Sequence, residues 1–321
     1  MFADVDEVCS KLRILLEKAV ENNPADGILF SGGLDTSVLA VIASKFIPLK
    51  LITVAFQNSS APDVEYAVLM ASKLGLEHII HVFDEDELYD AIAIVVKTMK
   101  SFDPMEIRNS VTIYVGLKAA KEIGVSTIMT GDGSDELLAG YSFLFGLERE
   151  KLDLELKKMW NVMAFSSVPL AKTLGMEAKL PYLDQNFKDF AMKLDSQYKI
   201  RTENGRTHGK WILRKTFEEH LPPEVTWRVK TPIEYGSGTN ILTDLFNRKI
   251  LDPEFDEKRR RYFAQDGVAI RDKEQLFYYE VYRSLIGVPY SASIKGKACP
   301  QCNSSIAENA TYCRTCGAYP L

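Results

Sequence analysis

The chain has 321 residues, 46% hydrophobic and 26% charged. At roughly 150 residues per domain that allows one large α/β domain or two smaller ones, and it excludes a disordered chain, a collagen or a small disulfide scaffold. The formal net charge of -5 excludes a general attraction to nucleic acid, leaving only local patches.

Val8, Leu12, Leu15, Leu16 and Ala19 recur at helical spacing, so the chain opens on an amphipathic helix that Asn22 to Asp26 ends. Gly27 to Phe30 reads as a short buried strand, Ser31-Gly32-Gly33 as a loop and Asp35 to Lys45 as a helix. Leu49 to Phe56 is a second strand, Pro62 to Leu74 a helix stopped by Gly75, and His78 to Phe83 a third strand. Asp84 and Glu87 have capping-box spacing for a helix through Lys100, and another helix follows Pro104 up to Gly124. Thr127 to Thr130 is a fourth strand, followed by Gly131-Asp132-Gly133. This alternation predicts an α/β fold, a parallel sheet with helices on both faces. Ligands bind such sheets at the carboxyl ends of the strands, where both glycine loops lie. From Leu147 to Leu221 strand signals are scarce, which predicts a helical second half. Pro222 to Gly238 reads as a loop, and Phe246 to Ile286 returns to helix with Arg259-Arg260-Arg261 as a solvated face. His78 and His81 fall on opposite faces of their strand and read as structural.

No apolar run approaches the ~18 residues of a membrane span. Met1 to Glu21 carries Asp4, Asp6, Glu7, Lys11, Arg13, Glu17 and Lys18, too much charge for a signal peptide, so the expected location is cytoplasmic. Of five cysteines, Cys9 stands alone in the first helix, while Cys299, Cys302, Cys313 and Cys316 form two CxxC knuckles. Four thiolates at this spacing suit tetrahedral Zn²⁺, which would stabilise a unit too small to fold on its own core. The expected organisation is a domain over 1–290, a linker over 291–298 and a four-cysteine zinc ribbon over 299–321.

The segment Ser31-Gly32-Gly33-Leu34-Asp35-Thr36-Ser37 follows a strand and opens a helix. Its glycines let backbone N–H groups approach an anion, the helix N-terminus adds a favourable dipole, and Ser31, Thr36 and Ser37 add hydroxyls. Asp35 would repel a phosphate unless a cation lay between them, which points to Mg²⁺ on a polyphosphate. A Walker loop is excluded, because only three residues separate Gly205 from Gly209 and Trp211 follows Lys210. A dinucleotide fingerprint at Gly131-Asp132-Gly133 fails because Glu136 stands where glycine is needed.

The loop resembles the pyrophosphate loop of the N-type ATP pyrophosphatase (PP-loop) superfamily, of adenine nucleotide alpha hydrolase-like fold. Thr130-Gly131-Asp132-Gly133-Ser134-Asp135-Glu136-Leu137 with Ala139-Gly140-Tyr141 resembles the second motif of the asparagine synthetase family, in its synthetase domain. Ile107-Arg108-Asn109-Ser110 is similar to that family's Ile-Arg-Ala-Ser. Gly175-Met176-Glu177-Ala178-Lys179-Leu180-Pro181-Tyr182-Leu183-Asp184 is similar to Gly-Val-Glu-Ala-Arg-Val-Pro-Phe-Leu-Asp. Lys210-Trp211-Ile212-Leu213-Arg214 and Trp227-Arg228-Val229-Lys230 through Gly238 follow the pattern in order, so the match covers about 25–240.

The resemblance implies an ATP-dependent carbon–nitrogen ligase that adenylates a carboxylate, releases pyrophosphate and passes ammonia or another amine to the acyl group, as in asparagine biosynthesis. ATP would lie against Ser31, Gly32, Gly33, Leu34, Asp35, Thr36, Ser37, Gly131, Gly133 and Ser134, with Asp35 and Asp135 holding Mg²⁺. Lys230 matches the family's catalytic lysine, Arg108 is a candidate phosphate clamp or structural ion pair, and Asp132 stands where the incoming amine's proton is handled. Glu177 and Asp184 stand open between scaffold and site. Val168-Pro169 and Lys179 depart from the family near its acceptor pocket, which puts aspartate as acceptor in question. No glutaminase segment is recognised, so nitrogen is expected as free ammonia, from a separate glutaminase subunit or from another amine. The alternative is a PP-loop tRNA-modifying enzyme whose zinc ribbon holds nucleic acid, although thiolases of that kind usually carry catalytic cysteines.

Overall fold

The computed structural model describes residues 4–203, 205–290 and 297–321. The elements run α1 (Val5–Asn22), β1 (Gly27–Leu29), α2 (Leu34–Ala43), β2 (Lys50–Phe56), α3 (Asp63–Leu74), β3 (His78–Phe83), α4 (Glu85–Met99), α5 (Pro104–Glu122), β4 (Thr127–Met129) and α6 (Ser134–Leu138). They continue through α7 (Arg149–Val162), α8 (Ser167–Thr173), β5 (Glu177–Lys179), α9 (Gln185–Lys193), α10 (Ser196–Lys199), β6 (Arg201–Glu203), β7 (Arg206–His208), α11 (Trp211–Phe217) and α12 (Pro223–Thr226). The last are α13 (Ile233–Gly236), α14 (Leu242–Lys249), α15 (Asp252–Asp266), α16 (Lys273–Leu285), β8 (Lys297–Ala298) and β9 (Ser305–Ile306).

Two compact units form. The first takes residues 1–54, 62–81 and 116–232, and the second takes 55–61, 82–115 and 233–321. The main sheet has the order β3-β2-β1-β4-β5. β1 is parallel to β2 (Gly27↔Lys50) and to β4 (Gly27↔Ile128), and β4 is parallel to β5 (Thr127↔Glu177). The chain grows outward from β1 to β3 and then crosses back to place β4 on the other side of β1. This reversal opens the crevice at the carboxyl ends of β1 and β4 where open α/β sheets bind ligands.

Strand alternation covers both faces. Ile28 joins the core formed by Leu12 and Leu16 of α1, Val38 and Leu39 of α2, Phe187 of α9 and Trp211 and Ile212 of α11. Leu29 points the other way, toward Gly116 of α5, where an added Cβ would come within 2.9 Å of Leu29 Cδ2. The apolar stripe of α1 packs against α2, α9 and α11, and truncating a fully buried leucine such as Leu12 costs about 2–5 kcal/mol.

In the second unit α4 packs against α16, which also meets α14. The Asp84 carboxylate caps α4 by accepting from Glu87 N at 3.0 Å. The polar face of α15 is laced by short-range pairs, Arg259 with Asp256 and Arg261 with Glu257, as a solvated helix should be.

Three elements differ from the sequence expectation. β5 completes the sheet although Glu177-Ala178-Lys179 has no β-branched residue; its pairing with β4, not its propensity, makes it a strand. A β6–β7 hairpin interrupts the helical second half, with Arg201 opposite His208. The stretch 222–238, expected as a loop, contains the short helices α12 and α13, while the expected return to helix over 246–286 is met by α14, α15 and α16. Of the expected linker 291–298, residues 291–296 lie outside the described residues and Lys297 and Ala298 form β8. Among the described residues no helix is long and apolar enough to cross a membrane.

Candidate active site

The loop after β1 turns sharply at Gly32, with φ +64°. A Cβ there would sit 2.3 Å from Ala67 N and 2.4 Å from the Tyr66 carbonyl carbon, both backbone atoms of α3, so glycine alone fits. Gly33 is the N-cap of α2, and the first N–H groups of that helix face the loop. The Ser31 hydroxyl accepts from Gly33 N at 3.2 Å and lies 3.3 Å from Thr36 Oγ1. The Ser37 hydroxyl is buried with no hydrogen-bond partner among the described residues.

The second glycine loop, after β4, approaches the first closely. A Cβ on Gly131 would lie 3.1 Å from Asp35 Cβ. Gly133, at φ +90°, caps α6, and Ser134 donates to Asp35 Oδ1 at 2.8 Å. Asp35 and Asp135 then meet across a lysine. Lys210 Nζ lies 2.5 Å from Asp35 Oδ2 and 2.7 Å from Asp135 Oδ1, with its side chain 5% exposed. Burial alone would push the Asp135 carboxyl up, but Lys210 and Lys230 hold it below the usual carboxylate range. Burial likewise penalises the Lys210 ammonium, and the two carboxylates reverse that and raise it.

Lys230 reaches the remaining oxygen of this pair, 2.9 Å from Asp135 Oδ2. Its ammonium also sits 3.9 Å from the centroid of the Tyr141 ring, whose hydroxyl donates to Glu136 Oε1 at 2.5 Å. The side chain of Lys230 is about a third exposed (32%), so the buried ammonium of the site is Lys210 rather than Lys230. Two arginines anchor the segment that carries Lys230. Arg214 donates to the Thr226 and Arg228 carbonyls, and Arg228 pairs with Asp63 at 2.7 Å and lies over the Tyr66 ring.

Asp132 faces hydroxyls rather than cations. Thr130 Oγ1 donates to its Oδ2 at 2.9 Å, and the Ser167 hydroxyl donates to the same oxygen. Burial pushes the Asp132 carboxyl above its ordinary range, and these hydroxyls offset part of that rise. Ser167 opens α8, directly before Val168-Pro169.

Arg108 belongs to the second unit, where its guanidinium lies 3.3 Å from Glu274 Oε1 and donates to the Pro104 carbonyl. Asp184 caps α9 by accepting from Asn186 N, and Glu177 pairs with Lys179. His78 accepts or donates at Thr53 Oγ1, 2.8 Å away, and burial lowers its affinity for a second proton.

The motif Lys210-Trp211-Ile212-Leu213-Arg214 gives no sign by itself that Lys210 belongs to the site. What could find it is the rule that a cation entering a core needs anionic partners, applied to a lysine directly before the apolar turn Trp211-Ile212-Leu213.

The four C-terminal cysteines are buried, and their sulfurs all lie within 4.8 Å of one another, a group that could hold a metal ion and that fits a zinc ribbon. The ribbon is tied into the second unit through its main chain. Phe102 N donates to the Thr315 carbonyl at 2.7 Å, Arg271 to the Gly317 and Cys316 carbonyls at 2.9 Å each, and Ala269 N to the Gln301 carbonyl at 2.7 Å.

The asparagine synthase family model matches residues 11–167 and 169–292. Asparagine synthetase B [glutamine-hydrolyzing] of Escherichia coli K12 is 28% identical over 326 aligned positions, covering 93% of this chain and 58% of that protein. The glutamine-hydrolyzing asparagine synthetase of Gallus gallus is 27% identical, covering 87% of this chain and 53% of its own. Asparagine synthetase 2 of Arabidopsis thaliana is 30% identical over 73% of this chain and 44% of its own. The chain thus spans about half the length of the curated relatives it matches. Solved structures align loosely, with NMN synthetase from Francisella tularensis at a TM-score of 0.31 and 16% identity over 63% of this chain and all of that one, so the assignment rests on sequence. On the strength of that model match, with its motifs gathered at one crevice, the chain belongs to the asparagine synthase family.

Proposed function

We propose that this chain is an ATP-dependent amide-forming ligase: it transfers the adenylyl group of ATP to a carboxylate, releases pyrophosphate, and lets ammonia or another amine displace AMP from the acyl carbon. The observation that carries this reading is the convergence of Asp35, Asp135, Lys210 and Lys230 beside the Ser31–Ser37 loop. Free N–H groups at the start of α2 and the unpartnered Ser37 hydroxyl suit phosphate oxygens.

The Asp35 and Asp135 carboxylates fit Mg²⁺, since one oxygen of each already faces a single cation, the Lys210 ammonium. When bound there, Mg²⁺ would neutralise charge on the polyphosphate. Lys230, held by Asp135 and the Tyr141 ring, supplies a positive charge for the negative charge that builds at the α-phosphate as the carboxylate attacks. Asp132, whose proton affinity burial raises, takes the proton that the amine loses on attack. Four buried thiolates would hold Zn²⁺ in the ribbon. The carbonyls around them are engaged by the second unit's own side chains, which supports a role in capping that unit over one in gripping RNA.

The test is a product screen with purified chain across carboxylates and tRNA fractions, with ammonium or glutamine. AMP and pyrophosphate should appear together with the correct acceptor, and ammonium should support turnover where glutamine does not. ADP and phosphate as products would end this reading. Glutaminase activity in the pure chain would overturn the nitrogen assignment, and stimulation by tRNA alone would favour an RNA-borne acceptor.

A further inference from the structure

Lys210 fills the space between the two acidic residues with a cation of the chain's own. Its ammonium lies 2.5 Å from Asp35 Oδ2 and 2.7 Å from Asp135 Oδ1. The other oxygens are also engaged: Asp35 Oδ1 accepts from Ser134 at 2.8 Å, and Asp135 Oδ2 lies 2.9 Å from Lys230 Nζ. Each of the four carboxylate oxygens therefore lies within 3 Å of an ammonium or a hydroxyl, although Asp135 Oδ1 makes an ion pair and no hydrogen bond, and the two carboxylates face two ammonium groups.

Lys210 is fixed in this place. Its backbone is left-handed, at φ +53°, and its N–H donates to the Leu138 carbonyl at 3.0 Å. A Cβ on Gly140 would lie 2.3 Å from Lys210 Cε and 1.8 Å from Asp135 Oδ1, so no space is spare beside the bridge. A bare divalent cation entering between Asp35 and Asp135 meets two carboxylates already matched by Lys210 and Lys230, and must displace a buried ammonium from both of them. A cation that arrives with a polyphosphate brings anionic oxygens that can take over that ammonium.

We propose that Lys210 is a specificity-determining residue that makes the site refuse a free divalent cation and accept one only together with a polyphosphate. This rests on the reading of Asp35 and Asp135 as carboxylates for the cation of bound ATP. The site then loads in one step, metal and nucleotide together, rather than metal first.

The experiment follows Mn²⁺ by its electron paramagnetic resonance signal during titration with the full chain, its ribbon kept metal-loaded, with and without ATP. Wild type should leave free Mn²⁺ undepleted and bind Mn²⁺ with ATP present. Lys210→Gln and Lys210→Met, which both remove the charge without adding bulk, should each bind free Mn²⁺ at least about tenfold more tightly than wild type. Thermal melts check that the variants fold. Equal free-ion affinity in wild type and Lys210→Gln overturns the proposal. Should Lys210→Gln fail to fold, the wild-type titration decides alone, because tight binding of free Mn²⁺ refutes the inference. Failure of wild type to bind Mn²⁺ with ATP would instead strike the functional reading beneath it.

Discussion

Replacing Lys230 with alanine separates its two contacts from the rest of the site. Its ammonium lies 2.9 Å from Asp135 Oδ2 and 3.9 Å from the Tyr141 centroid, with about a third (32%) of the side chain exposed. A unit charge pair near 4 Å is worth ~4 kcal/mol at an effective dielectric of 20, and solvent at a group this exposed cuts that to about 1 kcal/mol of stability. Asp135 keeps Lys210, so the carboxylate is not left buried without a partner. Lys230→Ala should therefore fold and melt within a few degrees of wild type. The loss falls on the adenylation step, where removing one preorganised electrostatic contact costs about 100- to 1000-fold in rate. The assay is single-turnover formation of AMP at saturating ATP, with nucleotide affinity measured separately by titration. Affinity should stay within a few-fold, and Lys230→Arg should recover part of the rate. A folded Lys230→Ala with an unchanged adenylation rate would refute the assignment.

Gly140→Ala should keep its secondary structure but lose adenylation by about 100-fold or more, because the new methyl would stand 1.8 Å from Asp135 Oδ1 and force the carboxylate off Lys210; near-normal rates would show that the bridge is dispensable. Lys199 is buried over the Trp160 ring, and burial lowers its pKa to about 7. The folded state thus resists its protonation, and this penalty is full below pH ~7 and fades as pH rises toward the unfolded value of ~10.4, so Lys199→Met should raise the melting temperature more at pH 6 than at pH 9. Metal analysis of purified chain should find one zinc per chain, and Cys302→Ser or strong chelation should release it, expose the remaining thiols to a thiol reagent and lower the melting temperature; full stability without metal would remove zinc from the account.

The first half of the fold was legible because its strands are apolar, its helices amphipathic and its breaks marked by glycine or a cap such as Asp84. β5 was not, since a three-residue strand of Glu, Ala and Lys carries no local signal and exists only through β4. The glycine loops announced themselves because Gly32 and Gly133 hold backbone angles that few other residues tolerate. Lys210 and Tyr141 did not, because their meaning lies in three-dimensional neighbours: a lysine is read as surface until two carboxylates close on it, and an aromatic is read as core until an ammonium sits on its face. The dyad of Ser167 and Asp132 was hidden for the same reason, as its partners lie 35 positions apart.

The path of the chain between the two units bears on how the protein can be handled. It passes from one to the other after residues 54, 61, 81, 115 and 232, so β2, β3 and α5 each begin in one unit and end in the other. Neither unit is a continuous stretch, and no truncation yields one without cutting the other. Limited proteolysis should therefore release no stable half, and unfolding should register as a single concerted event across both. A nascent chain cannot finish the first unit until residue 232 has emerged, by which point 55–61 and 82–115 are waiting for a C-terminal segment still to be made. During that interval the nascent chain carries apolar surface of both units that only its later segments can cover.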